Sequence, residues 1–77
     1  MILNEKINAD NNFCKAYDAL ERESQYRIRT SIIMQCRISE TTFYRWLQRP
    51  NLVTSYNDQY YIAYLQFGKP IKEFFEK

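Results

Sequence analysis

Apolar residues recur along most of this chain at helical spacing and nowhere alternate as a half-buried strand requires. Asp10, Asn11 and Asn12 are all side chains that cap helix N-termini. Phe13, Ala16, Tyr17 and Leu20 follow at i, i+3, i+4 and i+7, which predicts a first helix reaching residue 23. Ser24 can cap a second, whose apolar stripe is Ile28, Ile32, Ile33 and Cys36. Arg37-Ile38-Ser39 interrupts it. Ser39 is again a cap type, so a third helix is expected over residues 40–48, turning Phe43, Trp46 and Leu47 inward. Pro50 should end it, because the residue before a proline is pushed out of the helical region. Residues 51–55 read as a loop. Ser55 and Asp58 then stand in the spacing of a capping-box variant. The fourth helix runs through Tyr61, Ile62 and Leu65 and stops near Gly68, a natural residue just past a helix end. Pro70 suits the first turn of a short fifth helix with Ile71, Phe74 and Phe75 as its apolar side. Residues 1–9 show no periodicity. They are expected to be irregular, with Ile2, Leu3 and Ile7 able to dock on the domain.

The expected fold is therefore all-α, a compact bundle of about four to five short helices, with residues 10–77 as a single domain. Composition adds a constraint on how it is held together. A chain of 77 residues buries only roughly 60% of the surface its unfolded form exposes, so a few large side chains must make the core. Seven Tyr, five Phe and Trp46 meet that need, since each ring brings much apolar area with few rotatable bonds.

Cys14 and Cys36 form no C-x-x-C pair, and no His completes a zinc site. A Cys14–Cys36 disulfide is formally possible. Both residues sit at apolar-periodic positions, however, where a thiol acts as a small hydrophobe. Without His there is no imidazole to act as general base. No Ser or Cys has the setting of a nucleophile, and Gly68 alone cannot form a glycine-rich phosphate loop. The chain reads as a non-enzyme with no cofactor and no metal. It has no apolar run approaching the roughly 20 residues that span a bilayer, and its N-terminus lacks the apolar stretch of a secretory signal. A cytoplasmic location is the expectation.

The net charge of +2 is mild, but it is unevenly placed. Residues 1–23 hold three basic and five acidic side chains. Residues 24–50 hold Arg27, Arg29, Arg37, Arg45 and Arg49 against Glu40 alone, a net +4. Residues 51–77 hold three of each sign. A central excess of arginine is what a contact with phosphates requires; the bland alternative is a solvated basic surface.

Residues 29–48 sharpen that reading. Two helices are joined by a break too short for anything but a tight, steeply angled junction. Ile32, Ile33 and Cys36 from the first, Ile38 from the turn, and Phe43 and Trp46 from the second would be buried at it. Thr41, Thr42, Tyr44, Arg45 and Gln48 are then left outside, with Ser39 and Glu40 at the helix N-terminus. Such a set suits a helix lying in the DNA major groove. Thr can meet a thymine methyl, Gln can pair with adenine, and Arg with guanine. Ser39 and the free N–H groups at the helix start can meet a phosphate. Tyr44 can pack on a sugar or phosphate, Arg45 can contact a base or a phosphate, Gln48 and Arg49 can hold backbone phosphates, and Arg29 belongs to the same basic set. Glu40 repels phosphates, although it can accept from cytosine N4 and favours the positive end of the helix dipole.

Ile32, Cys36, Ile38, Ser39, Thr42, Phe43, Trp46 and Leu47, within Cys-Arg-Ile-Ser-Glu-Thr-Thr-Phe-Tyr-Arg-Trp-Leu, resemble the helix-turn-helix of bacterial and phage regulators. Ile62-Ala63-Tyr64-Leu65, followed by the segment from Gly68 to Phe75, looks like the closing two helices of Cro/phage-repressor-like domains. Arg37 stands where the family usually has the turn glycine, and Ile33 where it often has a small residue at the helix contact. The resemblance implies sequence-specific binding of double-stranded DNA and transcription regulation. It also implies a weak homodimer, whose contact would come from the aromatic residues of the C-terminal helices, Tyr60, Tyr61, Tyr64, Phe67, Phe74 and Phe75. The competing function is a helical protein–protein interaction module, or an antitoxin-like subunit, that keeps the scaffold without binding DNA independently. No membrane or small-molecule partner is expected.

Overall fold

The computed structural model describes residues 11–75; the segment 1–9 and the cap candidate Asp10 lie outside the described residues. Five α-helices and no strand are found among them: α1 (Asn12–Asp18), α2 (Arg22–Cys36), α3 (Glu40–Gln48), α4 (Tyr56–Tyr60) and α5 (Ile71–Phe75). A 3-10 turn, Pro50–Leu52, follows α3, and a π-helical segment, Tyr61–Gln66, continues α4. The all-α class and the compact bundle are as the periodicity predicts, within a Cα radius of gyration of 11.5 Å.

The core is aromatic, as the short chain demands. Phe13 is fully buried. Its ring meets Phe43, Phe67, Phe74 and Phe75, with centroids 5.5–6.3 Å away. One residue of α1 thus ties the middle of the chain to its end. Ile28 and Ile32 of α2 and Phe43, Trp46 and Leu47 of α3 are buried around it, with Ile62, Ala63 and Phe74 closing the far side. No polar residue is buried among the described residues.

Three boundaries differ from the periodicity. First, α1 ends at Asp18, not at residue 23. Leu20 N–H donates to Tyr17 O in a tightened last turn, and Glu21 is extended (φ −64°, ψ 157°). Helix-forming residues run through this break, so no local signal marks it. It is closed from outside: Gln25 Nε2 donates to Tyr17 O at 3.0 Å. Accordingly α2 starts at Arg22, and Ser24 is not its cap. Second, the 3-10 turn runs into the expected loop 51–55, and Val53 is a core residue with Gln59 Nε2 donating to its carbonyl at 2.6 Å. Third, Leu65 faces out, 56% exposed, while Ala63 is buried beside Ile62. The π turn carries an extra residue per hydrogen-bonded ring, so positions beyond Ile62 rotate away from where an α-helix would put them. Its end is widened in the same sense. Gly68 (φ 68°) sits past the last turn, and Lys69 N–H reaches back to Ala63 O at 2.9 Å.

The junction of α2 and α3 forms around Arg37, whose backbone is left-handed (φ 58°, ψ 51°). Ile38 N–H donates to Ile33 O across the turn at 3.1 Å. A side chain in this conformation costs about 1–2 kcal/mol. Glycine removes that cost but loses more entropy on folding, roughly 0.5–1 kcal/mol. Arg37→Gly is therefore expected to stabilise the fold slightly, with a melting temperature a few degrees higher (of order 4–8 °C per kcal/mol). Arg37→Ala, which keeps the strain, should show no such rise.

Candidate nucleic-acid interface

Helix α3 divides into two faces. Phe43, Trp46 and Leu47 are buried, whereas Thr41, Arg45 and Gln48, at i, i+4 and i+7, are exposed. Both ends are fixed. At the start Ser39 Oγ accepts from Thr42 N–H and donates to Thr42 Oγ1, each at 3.1 Å. At the finish Arg49 leaves the helical region (φ −135°, ψ 81°) before Pro50, since the proline ring disfavours a helical conformation in the residue preceding it. The carbonyls of the last turn are met from a distant part of the chain: Asn11 Nδ2 donates to Leu47 O at 2.8 Å and to Gln48 O at 3.5 Å. The same Asn11 caps α1, its Oδ1 accepting from Cys14 N–H at 2.7 Å.

Of the residues singled out in the sequence, Ser39, Thr41, Arg45, Gln48 and Arg49 are exposed, and Thr42 and Tyr44 are half-buried. The Tyr44 ring packs edge-on to Phe43, 5.4 Å between centroids. Arg29 is placed differently. Its Nη1 donates to Tyr17 Oη at 3.0 Å and its Nε lies 3.4 Å from Glu40 Oε2, with the guanidinium over the ring of Tyr26. Burial raises the Tyr17 phenol above its usual pKa, against the opposing pull of Arg29. For Arg29, burial alone would lower the pKa; the Tyr17 hydrogen bond and the nearby Tyr17, Tyr44 and Glu40 outweigh it, and the net shift is upward. At neutral pH Tyr17 is thus a neutral phenol and Arg29 a cation. This network links α1, α2 and the start of α3. It also answers the difficulty of Glu40, whose charge is met by Arg29 and not by Arg45.

The arginines therefore do not make one cluster. Arg27 is exposed on α2, Arg29 is held in the network, and Arg45 and Arg49 line a cleft of about 220 Å³ with Gln48 and Leu52. Among the described residues no carboxylate lies within ion-pair distance of Arg45 or Arg49. Leu52 lies outside the periodic pattern. Its signal is an apolar residue two places after the helix-ending proline, left 42% exposed. A second, wider cleft of about 620 Å³ lies along the start of α2, lined by Arg22, Glu23, Gln25, Tyr26 and Arg29.

The aromatic patch of the C-terminal helices is also redistributed. Phe74 is buried, and Tyr61, Phe67 and Phe75 pack against the core, drawn in by Phe13 and its neighbours. The exposed set is Tyr56, Tyr60 and Tyr64, stacked at centroid distances of 6.5 and 5.2 Å, together with Leu65. Cys14 and Cys36 are not joined by a disulfide. Burial, and the Asp58 carboxylate beside it, push the Cys36 thiol up to about 12, so it stays protonated at neutral pH. Among the described residues no group of three or more His, Cys, Asp or Glu could hold a metal ion, and no helix is long and apolar enough to cross a membrane. No protein-family model matches this chain, and comparison with curated proteins and with solved structures likewise finds no match.

Proposed function

We propose that the chain binds double-stranded DNA sequence-specifically, laying α3 in the major groove, and that it acts as a transcription regulator of the phage or mobile-element type. The observation that carries this reading is the two-faced α3. Its inner side is wholly committed to the core, and its outer side offers Thr41, Arg45 and Gln48 in one stripe, side chains with the donors, acceptors and methyl groups that major-groove base edges pair with. Ser39, Thr42 and Tyr44 flank the stripe. Arg29 acts as a positioning residue, orienting the first turn of α3 through Glu40.

A two-fold pair of such domains would set its recognition helices about 34 Å apart, one turn of the duplex. The uncharged Tyr56, Tyr60, Tyr64 and Leu65 surface is the proposed contact of this weak homodimer. The same tyrosine ladder is what favours the second reading, a protein–protein interaction module without DNA binding.

Selection from a random duplex pool separates the two. The expected product is a motif, two-fold symmetric if the dimer forms. Binding should fall steeply with salt as phosphate contacts release counterions. About four such contacts would cost on the order of 100-fold between 50 and 200 mM salt. Failure to retain any duplex at low salt would replace the DNA reading with the interaction module.

A further inference from the structure

We infer that the cleft between the last turn of α3 and the Pro50–Leu52 turn is the seat of a single DNA backbone phosphate, gripped by Arg45 and Arg49. The inference rests on the DNA-binding reading and goes beyond it, since it commits Arg45 and Gln48 to the backbone and not to base edges, and adds Leu52 to the interface.

Three observations support it. Arg45, in the last turn of α3, and Arg49, the residue just past it, line the same cleft, and two like charges brought to one place disfavour each other. No carboxylate among the described residues relieves that repulsion, so an anion supplied from outside would. The bland explanation for two arginines here is that they serve the carbonyl end of the helix. Asn11 already donates to the carbonyls of Leu47 and Gln48, which leaves both guanidinium groups available. Finally, the cleft is not uniformly polar. The two arginines and Gln48 line it together with Leu52, an exposed apolar residue. That combination matches a phosphodiester flanked by a sugar: charged donors for the oxygens and an apolar wall for the deoxyribose.

The consequence is a division of labour along α3. Its C-terminal end is docked on a strand, and sequence is read by the earlier residues, Thr41, Thr42 and Tyr44. Backbone contacts fix register and carry no sequence information, whereas base contacts do. Arg49→Gln should then weaken binding to every duplex alike and lower the salt slope by about one, while Thr41→Ala should change which duplex is preferred.

The test uses the full chain and a duplex from the selection in which backbone phosphates are replaced, one at a time, by neutral methylphosphonates. One position is expected to weaken the parent protein on the order of tenfold, to weaken Arg45→Gln and Arg49→Gln less, and to have no further effect on the double variant, the non-additivity that marks a direct contact. Both variants change exposed side chains, and their melting curves report whether the fold is intact. If the parent binds duplex but no phosphate position couples to either arginine, the cleft assignment is overturned and the DNA reading stands. If the parent binds no duplex, both fall together.

Discussion

Phe13→Ala is expected to cost about 3–5 kcal/mol, the range for truncating a fully buried phenylalanine. A domain of this size is stable by only about 0.05–0.15 kcal/mol per residue, so the loss is comparable to the whole. The reason is position as much as size. Phe13 has no exposed surface, and it is the ring on which Phe43 of α3, Phe67 after the π segment and Phe74 and Phe75 of α5 converge. Its removal opens a cavity facing three parts of the chain at once. Urea or thermal unfolding should show either a folded population too small to measure or a melting temperature lower by about 4–8 °C per kcal/mol. Leu65→Ala is the matched control. Helical periodicity places Leu65 inside, whereas the π segment leaves it 56% exposed, and a surface truncation should stay within about 0.5 kcal/mol. Comparable losses from the two variants would mean that the fourth helix has the α register after all.

The second large effect is expected at Asn11, a partly exposed residue that a burial argument would overlook. Its carboxamide works in both directions, with Oδ1 capping the N-terminus of α1 and Nδ2 capping the C-terminus of α3. Loss of an N-cap costs about 0.5–2 kcal/mol, and loss of the bond to Leu47 O about 0.5–1.5 kcal/mol more. Asn11→Ala should therefore destabilise by about 1–3.5 kcal/mol. Asn11→Asp separates the halves. Aspartate caps α1 as well as asparagine does but cannot donate, and it sets a carboxylate against the carbonyl end of α3, the negative pole of that helix. Chemical denaturation should rank the parent above both variants, with Asn11→Asp no more stable than Asn11→Ala despite the better cap propensity of aspartate. A fully stable Asn11→Asp protein would show that the contact with α3 contributes nothing.

Much of this architecture is legible residue by residue. Ser39 and Ser55 cap the helices their spacing assigns to them. Arg37 takes the left-handed conformation in the short break between α2 and α3. Pro50 stops α3 through sterics that act on its immediate neighbour. Phe43, Trp46 and Leu47 lie inside because an α-helix of ordinary pitch carries them there. The outer stripe of the candidate interface follows from the same geometry, since fixing one face of a helix fixes the other.

Local chemistry thus sets the helical class, the caps, the turn and the inner face of α3, and all of these can be read from short windows of residues. The remainder depends on contacts between residues far apart in the chain, which no short window contains. Gln25 ends α1 by reaching Tyr17 O, although the intervening residues favour continued helix. The π segment turns Leu65 outward and Ala63 inward, and packing of the finished bundle selects that register. Phe13 draws Phe67, Phe74 and Phe75 toward the core and leaves the tyrosines as the exposed aromatic face. Asn11 caps a helix 36 residues away. Arg29 is bound by Tyr17 and Glu40, whereas Arg45, also a helix arginine, lines a cleft. An arginine's free charge depends on which carboxylates and phenols come within a few ångströms of it, and that distance is a property of the folded chain.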